Sequence, residues 1–136
     1  EPGVENVTSF SELRREAEAV ERWNLTHPDE TPRVSYVEEL LSKNTVPTVA
    51  VSDYIKLVSD QIRPYVPGPY YCLGTDGFGR SDTREGLRRF FEVDRYYVVL
   101  TAVKALVHAG ELEAGMVDAV LEKYGLDPEK PNPVTV

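Results

Sequence analysis

The chain has 136 residues, with 15 Lys and Arg against 23 Asp and Glu, a formal net charge of −8. One domain of that length can remove roughly two-thirds of its unfolded surface from water. The acidic balance argues against a nucleic-acid partner and an anionic membrane surface, and no apolar run approaches the ~20 residues of a membrane span. No signal-peptide pattern opens the chain, and Cys72 is its single cysteine, which excludes an intrachain disulfide and favours a reducing, cytoplasmic compartment. The expected organisation is a single domain over residues 1–136, with 126–136 as an extended tail.

Strand-like and helix-like segments alternate along the chain, as in an α/β domain with a largely parallel sheet. Val4 to Ser9 is a candidate first strand. Ser9 and Glu12 fit a capping box for a helix from about Ser11 to Trp23, with Leu13, Ala17 and Val20 at helical spacing. Pro28 and Pro32 mark the polar stretch from Asn24 to Arg33 as a loop. Tyr36 to Leu41 reads as a short helix. Val49 to Val51 is apolar throughout, as in a strand covered on both faces. Ser52 and Asp53 can start a helix that shows Ile55, Val58 and Ile62 on one side. Tyr70 to Leu73 is a second strand. Asp82 and Glu85 suggest another capping box, for a helix to about Phe91. Asp94 can cap a longer helix that stops at Gly110, and a last helix from Met116 to Tyr124 stops at Gly125.

The chemistry is concentrated between the second strand and the next helix. Gly74, Gly77 and Gly79 are followed by Arg80, Arg84, Arg88 and Arg89. Strand, glycine-rich loop and helix start can hold a phosphate, and Arg84 and Arg88 share a helix face, so a small-anion or nucleotide site is one reading. The spacing is neither the dinucleotide fingerprint nor a P-loop, which needs a Lys where Arg80 stands. The other reading is a tight structural junction, with Phe78 packed inward between its two glycines. His27 lies beside Asp29 and Glu30 and reads as a polar loop residue rather than a catalytic base. His108 suits the end of a helix, and Cys72 a small core position. No Ser/His/Asp order and no metal-ligand spacing stands out, so the residues alone indicate no catalytic centre.

The run Leu73-Gly-Thr-Asp-Gly-Phe-Gly-Arg-Ser-Asp-Thr-Arg-Glu resembles the carboxyl-terminal domain of the bacterial homodimeric pyruvate dehydrogenases. Val7-Thr-Ser-Phe-Ser-Glu-Leu, Glu21-Arg-Trp-Asn, His27-Pro, Glu30-Thr-Pro-Arg and Asp53-Tyr-Ile-Lys support the resemblance. So do Gln61-Ile-Arg-Pro-Tyr-Val-Pro, Phe90-Phe-Glu-Val-Asp and Lys130-Pro-Asn-Pro. It covers about Val7 to Val136, and Glu1 to Asn6 fit less well.

The resemblance implies a three-layer α/β/α sandwich around a mainly parallel sheet, like a transketolase carboxyl-terminal domain and incomplete at its amino-terminal edge. It implies a fragment of a longer enzyme that decarboxylates pyruvate with thiamine diphosphate and magnesium and passes acetyl to a lipoyl arm. The cofactor contacts would come from other domains, so no catalytic, cofactor or metal residue carries over and the chain alone would be inactive. The implied partners are the remainder of the parent chain, a homodimer mate and the dihydrolipoyl acetyltransferase core. The segment Asp76, Gly77, Phe78, Gly79, Arg80, Ser81, Asp82 and Arg84 would be a structural loop near domain or subunit contacts.

Overall fold

The computed structural model describes residues 3–43 and 46–136. In chain order the elements are α1 (Phe10–Thr26), α2 (Tyr36–Leu41), β1 (Thr48–Val51), α3 (Lys56–Asp60) and a 3-10 turn at Arg63–Tyr65. Then come β2 (Tyr70–Leu73), α4 (Arg84–Phe90), α5 (Arg95–His108), α6 (Gly115–Tyr124) and a second 3-10 turn at Pro133–Thr135. The chain is α/β, and β1 and β2 pair in parallel with Thr48 opposite Tyr70 and Val51 opposite Leu73.

Local chemistry starts most of the helices. The Ser9 hydroxyl accepts from the Glu12 backbone N–H at 3.2 Å, Ser35 accepts from Glu38 at 3.4 Å, and Asp94 accepts from Tyr97 at 3.0 Å. Each satisfies one of the N–H groups that a helix start leaves without a partner. Gly110 and Gly125 both take a positive φ where α5 and α6 end.

Side chains of a strand alternate between its faces. Ala50, Tyr70 and Cys72 therefore share one face, and there they meet Val37 of α2 and Ile62, with Phe10 and Leu13 of α1 against the same cluster. α3 packs on β2, while α5 packs on β1. The Tyr70 hydroxyl donates to the Ser59 carbonyl at 2.7 Å, so the one polar atom of this buried ring is satisfied.

Four expectations need correction. Val4 to Ser9 is not a strand: Gly3 to Thr8 are exposed, Val4 at 88%, and Ser9 serves as the cap of α1 instead. Two exposed valines give that segment no apolar face to bury. The helix expected from Ser52 to Ile62 is cut to Lys56–Asp60, followed by the turn at Arg63. Ser52 accepts from the Tyr54 N–H in a turn of its own, at 3.0 Å. The tail is not extended to its end: the Asn132 side chain accepts from the Val134 N–H at 3.0 Å, and Pro133 is buried. Helix α1 also runs on past Trp23 to Thr26.

Candidate functional site: the glycine-rich loop

Two loops leave the carboxyl ends of the parallel strands, residues 52–55 after β1 and 74–83 after β2, and they are tied together at their bases. The Thr75 N–H donates to the Tyr54 carbonyl at 2.9 Å, and the Thr75 hydroxyl donates to the Asp53 carbonyl at 2.7 Å. The Asp76 carboxylate accepts from the Lys56 N–H at 2.9 Å. Ile55 at the cap of α3 has no side-chain acceptor, so Asp76 caps that helix from across the sheet.

Two glycines are required by this closeness. A Cβ on Gly74 would stand 2.7 Å from both the Lys56 nitrogen and the Tyr54 oxygen. Gly77 has φ +109°, and a Cβ there would lie 2.5 Å from the Pro133 carbonyl oxygen of the tail. The tail is held nearby by Lys130, whose ammonium donates to the Phe90 carbonyl at 2.9 Å and to Glu92 at 3.1 Å. Glu92 sits at φ 61°, a left-handed position unusual for a side chain of that type.

Beyond Gly77 the surroundings change. Phe78 is 77% exposed, which corrects the expectation that it packs inward; the tight backbone at Gly77 turns the chain outward instead. Gly79 has open space around it, and Ser81 is exposed. The cap of α4 is Thr83, not Asp82: the Thr83 hydroxyl accepts from the Gly86 N–H at 3.1 Å. Asp82 instead accepts from the Thr83 N–H at 2.7 Å, which shifts the helix start by one residue.

The arginines diverge rather than converge. Arg80 lies over the Phe90 ring at 4.0 Å, Arg88 is 3.8 Å from Asp53, and Arg89 lies over Tyr96 at 6.0 Å. Arg84 is exposed. At the start of α4, two N–H groups that a phosphate would need are already taken by Thr83 and by the Asp82 carboxylate. An anion would also meet that carboxylate at close range, so the loop does not fit a phosphate or diphosphate. Among the described residues no group of three or more His, Cys, Asp or Glu is placed to hold a metal ion.

The remaining candidates are equally structural. His27 stacks on Trp23 with ring centroids 4.3 Å apart, and its Nδ1 lies 2.8 Å from the Trp23 carbonyl oxygen. Arg33 covers the same indole at 3.7 Å. Cys72 packs half-buried against the core, with its sulfur 3.9 Å from Asp60. His108 closes α5 and is exposed. Sequence reasoning missed Lys56 and Pro133 as partners of the loop, and Lys130 as the residue that anchors the tail beside it. Only the Asp76 carboxylate hinted at such a role, and nothing local says which N–H it will meet.

The loop thus has a base tied to its surroundings and an outward tip, at the carboxyl end of a parallel sheet. Residues 3–94, more than half of the chain, match the model of the Transketolase-like TK C-terminal domain. The chain belongs to that family. Beyond the TK C-terminal domain match, the chain is 56% identical over 94% of its length to the pyruvate dehydrogenase E1 component of Cupriavidus necator. It is 54% identical over 96% to that of Pseudomonas aeruginosa and 50% identical over 96% to that of Escherichia coli. It spans only 14%, 15% and 14% of the length of those three relatives. No helix among the described residues is long and apolar enough to cross a membrane.

Proposed function

We propose that this TK C-terminal domain is the non-catalytic carboxyl-terminal domain of a pyruvate dehydrogenase E1 component and that its role there is assembly. The observation that carries this is where the likeness extends. The family model stops at residue 94, whereas the E1 components match over 94% to 96% of the chain and so take in α5, α6 and the tail. Shared ancestry limited to the common domain would have ended near Asp94.

On this reading the parent decarboxylates pyruvate with thiamine diphosphate and magnesium, passes acetyl to a lipoyl group, and works in the cytoplasm as a homodimer bound to a dihydrolipoyl acetyltransferase core. The cofactors are held by parts of the parent outside this chain, a view supported by the poor fit of the Gly74–Asp82 loop to a diphosphate. The loop serves as a rigid junction: Asp76 and Gly77 fix its base, while Phe78, Gly79, Arg80, Ser81, Asp82 and Arg84 face outward to a domain or subunit contact. The encoding reading frame is the direct test. A frame that continues upstream into an E1 sequence is expected, and one that starts near Glu1 with no such sequence overturns the reading. The isolated chain, given pyruvate, magnesium and thiamine diphosphate, should show no dye reduction above a heat-killed control.

A further inference from the structure

Four large apolar side chains stand in water, three on the two interlocked loops and Leu57 on the first turn of α3. Tyr54 is 70% exposed, Ile55 49%, Leu57 68% and Phe78 77%. Because β1 and β2 are parallel, both loops emerge at the same end of the sheet. The backbone bonds of Thr75 and Asp76 to Asp53, Tyr54 and Lys56 hold them to each other. A groove of about 690 Å³ opens beside Ile55 and Leu57, walled by Arg14 and Glu18 of α1 and by Tyr65.

Scattered apolar residues on a surface need no explanation, but several together, aromatics included, mark a contact. Here the backbone beneath them is already fixed by hydrogen bonds, by Gly74 packed against Tyr54 and Lys56, and by Gly77 packed against Pro133. Docking onto a preformed surface orders little further chain, which lowers its entropic cost.

We infer that Tyr54, Ile55, Leu57 and Phe78 form one docking surface, and that its occupant is the rest of the same E1 polypeptide. This rests on the E1 reading above. Two observations choose the occupant. The relatives devote only 14% to 15% of their length to the matching segment, so most of such a chain lies outside this structure. The four side chains are also uncharged, and a permanently covered interface is the more apolar kind. The paired Asp53 and Arg88 lie beside Tyr54 and supply a polar margin.

Hydroxyl-radical footprinting tests this on two samples: the isolated 136-residue chain and a full-length E1 component that contains this sequence. All four residues should be labelled readily in the isolated chain. In the full-length protein their labelling should fall by at least about fivefold, as solvent is excluded from the core of an interface. Equal labelling in both samples overturns the docking surface. Labelling that falls in the isolated chain as its concentration rises also overturns it, because the occupant is then a second copy. The double variant Leu57→Asp, Phe78→Asp should leave thermal unfolding of the isolated chain unchanged while the full-length protein loses soluble assembly. Normal assembly of that variant counts against the proposal. A reading frame without an upstream E1 sequence removes the E1 reading itself, whereas equal labelling removes only the docking surface.

Discussion

Tyr70 and Phe78 belong to one short run of chain and have opposite fates. Tyr70 is 6% exposed, with its hydroxyl bonded to Ser59; Phe78 is 77% exposed, with open space around the glycine that follows it. Hydrophobicity does not separate two aromatic residues. The difference comes from the backbone between them. Strand alternation points Tyr70 at Val37 and Ile62. The turn at Gly77, packed against Pro133 of the tail and following Asp76, which is bonded to the first N–H of α3, ends that alternation and directs Phe78 outward. The buried end of this run holds the fold together, and the exposed end is left for a partner.

The comparison breaks most easily at Gly77. Gly77→Val puts a branched side chain at φ +109° and against the Pro133 carbonyl, and should cost about 3 kcal/mol or more in urea unfolding. A loss below about 1 kcal/mol would show that the tail moves aside freely and does not set the turn.

Tyr70→Phe should come next. It removes the 2.7 Å bond to the Ser59 carbonyl, a loss of about 1–2 kcal/mol at neutral pH. Burial holds the Tyr70 phenol well above its ordinary value. The folded state therefore keeps the proton more tightly than the unfolded state, where the value is about 10. The resulting stability is complete below about pH 10 and fades as pH rises through the folded pKa. The variant should flatten the alkaline branch of an unfolding-versus-pH curve. A small slope will remain from Tyr97, whose phenol burial also raises. An unchanged alkaline branch would rule out Tyr70 as its source.

Thr83→Ala removes the cap of α4 and should cost about 1 kcal/mol. Asp82→Ala removes only the bond to the Thr83 N–H and should cost less. The reverse order, read from urea midpoints at constant slope, would restore Asp82 as the cap.

At the tip the effects should vanish. Gly79→Ala and Phe78→Ala should each change the stability of the isolated chain by less than about 0.5 kcal/mol, because neither position is packed. A larger loss at Phe78 would mean that the ring supports the loop from within.

The sequence by itself determined whatever rests on neighbours within one turn or one strand. Ser9, Ser35 and Asp94 cap helices through a nitrogen three residues on, and the apolar spacing of α1 and the two short strands is visible in any window of that length. The Ser35 cap lies three residues before Glu38 and is of the same local kind, although the apolar spacing from Tyr36 to Leu41 alone does not point to it. At α4 the sequence reading is one residue early: it assigns the cap to Asp82, and the extended backbone at Thr83 gives that role to Thr83 instead. The family, too, was legible in the run from Leu73 to Glu85, since a junction this constrained tolerates few residue types. What only the tertiary structure decided are the contacts made across the fold. α3 begins at Lys56 because Asp76 arrives from another loop to take its N–H, and Gly77 turns because Pro133 comes back from the end of the chain. Such partners are set by how the strands and the tail are brought together, a global outcome of burying one core, and no local pattern of residues encodes which of many free N–H groups a carboxylate will meet.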